Sequence, residues 1–511
     1  MKKILSKILN RATIIGLLIL LQVGILIEVI WSLSNYFIYF YAICVIISFV
    51  VVLYLINRQD NPSYKLAWAI PILLFPVFGG VFYIIAGRTR LTRKIRKNMG
   101  PICEQALLFL EQDPEVAEEI QKQDKRISNQ SRYIHQFSTY PIYKNTSTEY
   151  LPSGESFFEC LKEELRKAKH YIFMQYFIIQ EGVMWNSLLD ILVEKVKEGV
   201  EVCIIYDDFG CVNTLPYKYN EKLEKLGIKA RVFNPFTPFI STMMNNRDHR
   251  KITIIDGYVG FTGGANLADE YINARQRFGH WKDAAICIKG EAVWNLTMMF
   301  LQAWDFGQDQ IGNYELYRPH NYHPTPFPSD GYVQPYADSP LDGETIGENV
   351  YINMIHQAKD YIYINTPYLI VDNEMITALT LAAKSGVDVR IVTPHIEDKW
   401  YVHIVTRAYY AQLIEKGVKI YEYTPGFIHA KTFVVDDELG VVGTINMDYR
   451  SLYLHFECAA WLYKTKSVLQ IKEDFLETLK ICTPITLEDT KKVGWGKRLL
   501  RSILRLFAPL M

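Results

Sequence analysis

The 511-residue chain has no excess of charge of either sign, because 55 lysines and arginines balance 55 aspartates and glutamates. Overall charge therefore gives no reason to expect a nucleic-acid partner. The eight cysteines form no Cys-x-x-Cys pair, and no His, Cys, Asp or Glu cluster has the spacing of a zinc site, so we expect no metal and no other cofactor. Scattered cysteines of this kind are compatible with free thiols in a reducing compartment.

Apolar residues are abundant and are concentrated at the N-terminus. Residues 14–33 and 36–56 are each long enough to cross a bilayer, and the very short link between them predicts a helical hairpin over 14–56. A third apolar stretch, 66–86, is interrupted by prolines and a Gly-Gly pair. This composition fits a segment that enters the membrane and returns better than one that crosses it.

Basic residues flank these apolar stretches in three groups, before the first run, after the second and after the third. The positive-inside rule places all three groups in the cytoplasm if only the first two runs cross. We therefore expect a multi-pass protein of the cell membrane, with its catalytic domain on the cytoplasmic side.

The C-terminal tail also suggests contact with a membrane. Apolar residues recur there at helical spacing, and the cations Lys497, Arg498, Arg501 and Arg505 lie between them. This pattern is typical of a helix that lies on an anionic membrane surface. The alternative is a basic helix that packs on the body of the protein itself.

A doubled motif is the most informative feature of the chain. Residues 249–256 and 429–436 both read His-x-Lys-x4-Asp, and an Asn follows each His by 17 positions. The segments before these two asparagines are Gly263-Gly264-Ala265-Asn266 and Gly443-Thr444-Ile445-Asn446. An isolated His-x-Lys usually means no more than a surface strand, whereas a doubled motif with matched downstream residues indicates a functional site.

The repeat extends beyond the motif, because 168–174 resembles 358–364 and 199–202 resembles 386–389. Each half reads as helix, strand, helix, strand, motif strand and strand, which predicts two similar α/β halves. If the halves are related by pseudo-two-fold symmetry, both histidines meet at the interface between the halves, here called the seam. The predicted regions are 1–100 for the membrane region, 101–140 for a polar helical connector, 141–310 for the first half, 311–330 for a proline-containing linker, 331–482 for the second half and 483–511 for the basic amphipathic tail.

The paired residues suit the transfer of a phosphoryl group. One histidine can attack a phosphodiester phosphorus, and the other can protonate the leaving oxygen and later deprotonate an incoming alcohol or water. Lys251 and Lys431 place positive charge where the transition state becomes negative, so the reaction needs no metal. Because the two motifs are alike, the residues alone do not assign the roles of His249 and His429.

Carboxylates are expected to support this site in two ways. Glu457 and Asp283 are candidates to hold the second ring nitrogen of the catalytic histidines. Asp256 and Asp436 close the two motifs at the ends of their strands. They are either participants in catalysis or turn and packing residues, and the sequence leaves both readings open.

These motifs resemble the signature of the phospholipase D superfamily over roughly residues 140–482. The N-terminal region, through 61–68 and 76–80, is similar to that of bacterial cardiolipin synthases, as are 263–271, 366–368 and 446–451. One residue departs from the pattern, since His455 stands before Phe456-Glu457 where such synthases usually have Asn.

The resemblance implies an activity and a set of site residues. One phosphatidylglycerol would donate its phosphatidyl group to another through a phosphohistidine, with His249 as nucleophile and His429 as acid and base. The implied catalytic residues are His249, Lys251, Asp256, His429, Lys431 and Asp436, and the implied substrate-binding residues are Asn266, Asn446, Gly264 and Thr444. The expected partners are phosphatidylglycerol, anionic lipids and the membrane, with no nucleic acid.

Two alternatives remain at this point. A membrane-bound hydrolase that passes the phosphatidyl group to water, or a transferase with another acceptor alcohol, would use the same residues. A nuclease is disfavoured because the two halves lack a basic tract with interleaved aromatic residues, and a non-catalytic scaffold would not need both intact motifs. The oligomeric state is left open.

Overall fold

A computed structural model describes residues 11–32, 37–87, 93–235, 246–306, 308, 311–323, 326–341 and 343–510. The predicted link of the membrane hairpin at Ser34-Asn35 lies outside the described residues. So do Lys2, Lys3 and Lys7 of the first basic group and Arg88 and Arg90 of the third.

The N-terminal region is helical. Its helices are α1 (Arg11–Ser32), α2 (Phe37–Asn57), α3 (Pro62–Leu74) and α4 (Pro76–Ala86). Within the described ranges, one helix is long and apolar enough to cross a membrane, Ile38–Asn57, and Gly16–Val29 forms a shorter apolar helix. The structure thus supports one crossing helix, and a second crossing remains a prediction.

The third apolar stretch is divided into the two short helices α3 and α4, which meet in a sharp bend at Phe75-Pro76. They contain 13 and 11 residues, which at 1.5 Å per residue makes each about 20 Å or less in length. Neither length alone spans the roughly 30 Å of a bilayer core. A Cβ added at Gly79 would lie 2.5 Å from the Cα of Ile72, so the bend requires glycine there.

Three helices connect this region to the catalytic body: α5 (Arg93–Leu107), α6 (Pro114–Gln123) and α7 (Lys125–Ser138). Asp113 and Asp124 cap the N-termini of α6 and α7 by accepting hydrogen bonds from backbone N–H groups two residues on. Ile120, Ile127 and Ile134 are buried in the core of the second half, so the connector packs firmly on that half.

The first half contains a seven-stranded sheet flanked by helices. Its strands are β1 (Thr146–Leu151), β2 (Tyr171–Tyr176), β3 (Glu201–Asp207), β4 (Lys229–Phe233), β5 (Ile252–Ile255), β6 (Val259–Gly263), β7 (His280–Lys282) and β8 (Ala285–Gly290). Its helices are α8 (Gly154–Lys167), α9 (Val183–Lys197), α10 (Asp208–Cys211), α11 (Tyr219–Lys225) and α12 (Val293–Asp305). The strand order is β1-β8-β6-β5-β2-β3-β4, and β7 lies outside this sheet.

The second half contains an eight-stranded sheet. Its strands are β9 (Tyr332–Asp338), β10 (Tyr361–Asn365), β11 (Leu369–Ile370), β12 (Asp388–Pro394), β13 (Lys419–Tyr423), β14 (Gly426–Ile428), β15 (Thr432–Val435), β16 (Leu439–Gly443), β17 (Met447–Asp448), β18 (Glu457–Tyr463) and β19 (Cys482–Ile485). Its helices are α13 (Ile346–Gln357), α14 (Asn373–Lys384), α15 (Trp400–Ile414), α16 (Tyr449–Tyr453) and α17 (Lys466–Leu479).

The two main sheets repeat one topology. The order in the second half is β9-β18-β16-β15-β10-β12-β13-β19, which matches the first half strand by strand and adds β19 at one edge. In both halves the motif strand, β5 or β15, pairs antiparallel with a central strand and with the strand that follows it. The prediction of two similar α/β halves is confirmed.

Short backbone pairings join the halves at the seam. Strand β7 of the first half pairs in parallel with β14 of the second, and Asp248 forms a parallel bridge with Phe456. The His249 N–H donates to the Phe456 carbonyl over 2.9 Å, and the His429 N–H donates to the Lys282 carbonyl over 2.7 Å. Each motif histidine is therefore attached by its own backbone to the opposite half.

The predicted linker contains two 3₁₀ turns, Tyr314–Tyr317 and Pro319–Asn321, that lie on the first half. The tail forms α18 (Leu487–Lys491), α19 (Trp495–Phe507) and a 3₁₀ turn at Ala508–Leu510. One edge of α19 docks on the second half, where Arg505 donates to Gln412 over 2.8 Å. Its apolar residues Trp495, Leu499 and Ile503, four positions apart, are exposed. Both predicted roles of the tail, docking and an outward apolar face, are thus compatible with its placement.

Candidate active site

Each motif histidine is held by a carboxylate from the other half. The Nδ1 atom of His249 lies 2.9 and 3.0 Å from the two carboxylate oxygens of Glu457. The Nδ1 atom of His429 lies 2.8 Å from Oδ2 of Asp283. When Nδ1–H donates to the carboxylate, the Nε2 lone pair of the imidazole is left free to react. The sequence identified both carboxylates as candidates, but it did not show that they are exchanged across the seam.

Asp283 and Glu457 occupy equivalent positions in the two repeats. Gly263 pairs with Ala285 in the first sheet, and Gly443 pairs with Ala459 in the second. Each carboxylate lies two residues before that pairing partner. The pseudo-two-fold symmetry therefore extends from the strand order to the groups that orient the histidines.

The two carboxylate side chains that hold the histidines differ in length, and the residue beside each one compensates for this difference. The longer Glu457 side chain accepts a hydrogen bond from the Thr444 hydroxyl. The shorter Asp283 approaches the equivalent position, Gly264, so closely that a Cβ there would lie 2.0 Å from its Oδ1 and 2.9 Å from the His429 carbonyl oxygen. Gly264 and Thr444, predicted to bind substrate, thus contact the supporting carboxylates.

Lys251 and Lys431 are buried, each two residues after its histidine and just before strand β5 or β15 begins. The Nζ atom of Lys251 donates to the His249 carbonyl over 2.6 Å, and the Nζ atom of Lys431 lies 2.9 Å from Nδ1 of His429. Burial lowers the pKa of Lys251 to about 8 and the pKa of Lys431 to about 7. Two cations in a dry site can stabilise a pentacoordinate phosphoryl group strongly.

The electrostatic surroundings of the two histidines differ. Burial, reinforced by Lys251, lowers the pKa of His249 well below its ordinary value. Burial and Lys431 also lower the pKa of His429, to about 4, but Asp283 opposes this shift. Burial alone would raise the pKa of Asp283, but His429 and Lys431 outweigh burial and lower it. In Glu457, burial prevails and raises the pKa. His429 therefore faces the more strongly anionic partner.

The two predicted asparagines are buried near the site in different settings. The Asn266 side chain accepts a hydrogen bond from the Ile178 N–H over 3.0 Å and donates one to the Tyr271 hydroxyl over 2.7 Å. Most of its bonding capacity is therefore used to hold the surrounding loop. The Oδ1 atom of Asn446 has no hydrogen-bond partner in the described part of the chain.

Asp256 and Asp436 are not brought to the histidines. Each begins the turn after its motif strand, with φ of 52° and 49°, and a four-residue strand separates it from the seam by about 13 Å. The Asp256 carboxylate accepts the N–H groups of residues 169–171, and that of Asp436 accepts those of residues 359–361. The geometry favours the turn and packing role over the catalytic one.

Aromatic residues that sequence reasoning did not single out form the walls of the site. Phe177 lies with its ring 5.1 Å from that of His249, and the Trp281 ring lies 5.2 Å from that of His429. The Trp281 indole N–H also donates to Asp283 over 3.2 Å. The sequence contained one signal for Trp281, because a strand residue two positions before Asp283 faces the same side.

One group of side chains in the described ranges has the ligand types and proximity to hold a metal ion, namely His249, His455 and Glu457. The His455 ring lies 5.7 Å from that of His249. Sequence spacing could not reveal this group, because its members come from both halves.

Comparisons with known proteins agree with this architecture. A family model described as cardiolipin synthase, PLD-like domain, matches residues 161–295 and 351–479, and one described as phospholipase D-nuclease N-terminal matches residues 38–88. A protein named cardiolipin synthase from Halalkalibacterium halodurans is 35% identical, covering 98% of this chain and 100% of that protein. A cardiolipin synthase from a Geobacillus species is 36% identical over 92% of each chain.

Two further likenesses concern overall sequence and fold. An uncharacterized protein from Streptococcus mutans is 46% identical, covering 90% of this chain and 99% of that protein. The crystal structure of phosphatidylserine synthase from Haemophilus influenzae superimposes with a TM-score of 0.57 at 15% identity, covering 74% of this chain and 97% of that one. The latter likeness concerns the fold alone.

Proposed function

Because the chain belongs to the cardiolipin synthase family of phospholipase D-like proteins, we propose that it transfers a phosphatidyl group from one phosphatidylglycerol to another. The products are cardiolipin and glycerol. The observation that carries the proposal is the pair of histidines at the seam, each oriented by a carboxylate of the opposite half and each followed by a buried lysine.

The first half-reaction forms a phosphohistidine. The Nε2 atom of His249 attacks the phosphorus of the donor lipid, while its Nδ1–H remains bonded to Glu457. The bond from phosphorus to the glycerol headgroup oxygen breaks, and His429 gives its proton to that oxygen. Lys251 and Lys431 stabilise the negative charge on the non-bridging oxygens.

The second half-reaction reverses these roles. A primary hydroxyl of the second phosphatidylglycerol gives its proton to His429, and its oxygen attacks phosphorus. The phosphorus–nitrogen bond to His249 then breaks, and cardiolipin leaves. The assignment of His429 as acid and base is supported by Asp283, whose negative charge stabilises the imidazolium that this role requires.

Product analysis tests the proposal directly. Purified full-length protein in detergent, given phosphatidylglycerol labelled in the headgroup and in the acyl chains, should yield cardiolipin and free glycerol. Phosphatidic acid as the sole lipid product would instead favour transfer to water. Wild-type protein that is quenched during turnover should carry a phosphatidyl adduct that mass spectrometry finds on His249. An adduct on His429 in a His249→Asn variant would reverse the assigned roles.

We also propose that α1 and α2 cross the cell membrane as a hairpin, that α3 and α4 do not cross, and that the catalytic body lies in the cytoplasm. The length and composition of α2 and the shortness of α3 and α4 support this topology. A thiol introduced by Arg90→Cys should resist an impermeant reagent added to intact cells. A thiol introduced by Asn35→Cys should react with it. Labelling of position 90 from outside would refute the proposed orientation.

A further inference from the structure

His455 is a third histidine at the site, and the reaction described above does not use it. Its side chain is 11% exposed, and neither ring nitrogen has a hydrogen-bond partner in the described part of the chain. A buried polar atom without a hydrogen-bond partner is unfavourable. Two such atoms on one ring, beside a catalytic histidine, point to a ligand that this ring can bind.

The neighbours of His455 identify the chemistry of that ligand. Its Nδ1 atom lies 3.9 Å from Oε1 of Glu457, which in turn lies 2.9 Å from Nδ1 of His249. One ligand atom from each residue can be chosen so that all three lie within 4.8 Å of one another. Tetrahedral zinc with bonds of about 2.0–2.1 Å separates its ligands by about 3.3 Å, so the 2.9 Å pair must open slightly and the wider separations must close.

A cavity adjoins His455, although His249 and Glu457 do not line it. It has a volume of about 150 Å³, lies between the segment that precedes α3 and the second half, and has His455 in its wall. Asp60, Asp338 and Glu344 contribute carboxylates to its lining, and its lining residues include no lysine or arginine within the described ranges. These carboxylates make the cavity wall beside His455 acidic, although Asp60 is paired with Arg58.

We propose that His249, His455 and Glu457 form an inhibitory site for a divalent transition-metal ion of the zinc class. Two nitrogens and one carboxylate oxygen, with a fourth position open, suit Zn²⁺ or Co²⁺ and not Mg²⁺, which requires an octahedron of oxygen ligands. Thr444 holds the other oxygen of Glu457, which leaves Oε1 directed toward the two rings.

Metal binding at this position would remove the nucleophile. The ion takes the Nδ1 lone pair of His249, so the ring proton must move from Nδ1 to Nε2. The Nε2 lone pair that attacks phosphorus is then lost. Lys251, Arg247, Lys399 and Arg450 oppose a dication, and the carboxylate of Glu457, which loses its proton when it becomes a ligand, offsets part of that repulsion. This consequence rests on the proposed role of His249, whereas binding of the ion does not.

The test uses tag-free, full-length protein in detergent, and compares wild type with His455→Asn. Wild type should bind Co²⁺ with the visible absorption of a tetrahedral site, and Zn²⁺ should block cardiolipin formation until a chelator is added. Loss of an outer-shell partner alone weakens metal binding by about 10–100-fold, so loss of His455 as a ligand should weaken it by at least about 100-fold. Mg²⁺ should produce neither effect.

A matched control separates this site from general metal binding by histidine. His395 also lies beside a carboxylate, with its Nδ1 atom 2.9 Å from Glu422. However, it is half-exposed, and among the described residues it belongs to no group of three possible metal ligands. His395→Asn should leave both metal effects unchanged. Equal Co²⁺ binding by wild type and His455→Asn, or no Co²⁺ binding by wild type, would overturn the proposal.

The two proposals fail in different ways. If wild type makes no cardiolipin but binds Co²⁺ through His455, the proposed function is wrong and the metal site stands. If His455→Asn does not fold, His455→Gln replaces it, and the Co²⁺ spectrum of wild type still decides whether nitrogen ligands bind the ion.

Discussion

Replacing Gly264 with alanine should disable the site through a contact that no motif describes. The new Cβ would lie 2.0 Å from Oδ1 of Asp283, whereas real contacts are hardly ever closer than 3.0 Å, so the carboxylate must move by about 1 Å. A movement of this size is enough to take the 2.8 Å bond between Asp283 and His429 out of hydrogen-bond range. The backbone carbonyl of His429, 2.9 Å from the new Cβ, leaves little room for another adjustment.

The expected loss of activity follows from that displacement. A misplacement of about 1 Å in a catalytic group can cost about 10²-fold in rate, and loss of an acid and base costs about 10²–10⁴-fold. We therefore expect kcat of the Gly264→Ala variant to fall by about 10²-fold or more. The assay is the formation of cardiolipin from labelled phosphatidylglycerol at saturating lipid.

A second glycine controls for packing strain. A Cβ at Gly440 in β16 would lie 3.2 Å from Ile471 Cδ1 and 3.4 Å from Val468 Cγ2, both of which are ends of flexible side chains. Gly440→Ala should alter thermal stability slightly and leave the rate within about threefold of wild type, less than 1 kcal/mol in the barrier. If Gly264→Ala kept the same rate as this control, the proposed link from Gly264 through Asp283 to His429 would be refuted.

The second half suggests a compensating change. There, Thr444 stands beside the longer Glu457 and donates a hydrogen bond to it. Gly264→Thr alone should inactivate the enzyme, and Gly264→Thr combined with Asp283→Glu should restore part of the activity. Equal activity of the single and double variants would show that the two supports are not interchangeable.

Three further predictions concern charge and the membrane. Burial lowers the pKa of Lys251 to about 8 and that of Lys431 to about 7, so both side chains lose their positive charge as pH rises through this range. We therefore expect a pH–rate profile to show kcat/KM falling over the same range. Burial raises the pKa of Glu348 from 4.5 to about 9, so between these pH values the folded state binds a proton that the unfolded state has lost. The free energy of unfolding should therefore decline as pH rises from about 5 to about 9. Melting curves of Glu348→Gln should lack this decline. Trp495 is 82% exposed on α19, so a dye attached to Trp495→Cys in anionic nanodiscs should be quenched by brominated lipid. A dye on Glu488→Cys should not be quenched. Equal quenching at the two positions would refute the prediction that the exposed apolar residues of α19 face the membrane.

The fold was largely predictable because its signals are periodic and repeated. The alternation of apolar residues in the motif strands and the offset between matching segments predicted two α/β halves, and the sheets have one common strand order. The membrane region was less predictable. Hydropathy records the apolar stretch over 66–86, but the bend at Phe75-Pro76 depends on the close approach of Gly79 to Ile72, which is a matter of packing.

The site was predictable only as far as spacing within one strand could indicate it. His249 and Lys251 lie two residues apart in the segment that leads into β5, and the sequence identified them together. The pairing of His249 with Glu457 joins residues 208 positions apart, and that of His429 with Asp283 joins residues 146 positions apart. Such contacts depend on how the halves dock. For Asp256 the local signal was present, since Asp before Gly after a strand is typical of a turn.

The two halves differ in the residues around their histidines, and this difference supports the different roles proposed for His249 and His429. A nucleophile must stay unprotonated, and burial, reinforced by Lys251 and the unpartnered His455, lowers the pKa of His249. An acid and base must gain and lose a proton, and His429 faces Asp283, whose pKa is lowered and which stabilises a charged imidazole. The short aspartate fits against His429 only because position 264 has no side chain. The Gly264–Asp283 pair in one half and the Thr444–Glu457 pair in the other therefore support the proposal that His249 is the nucleophile and His429 the acid and base.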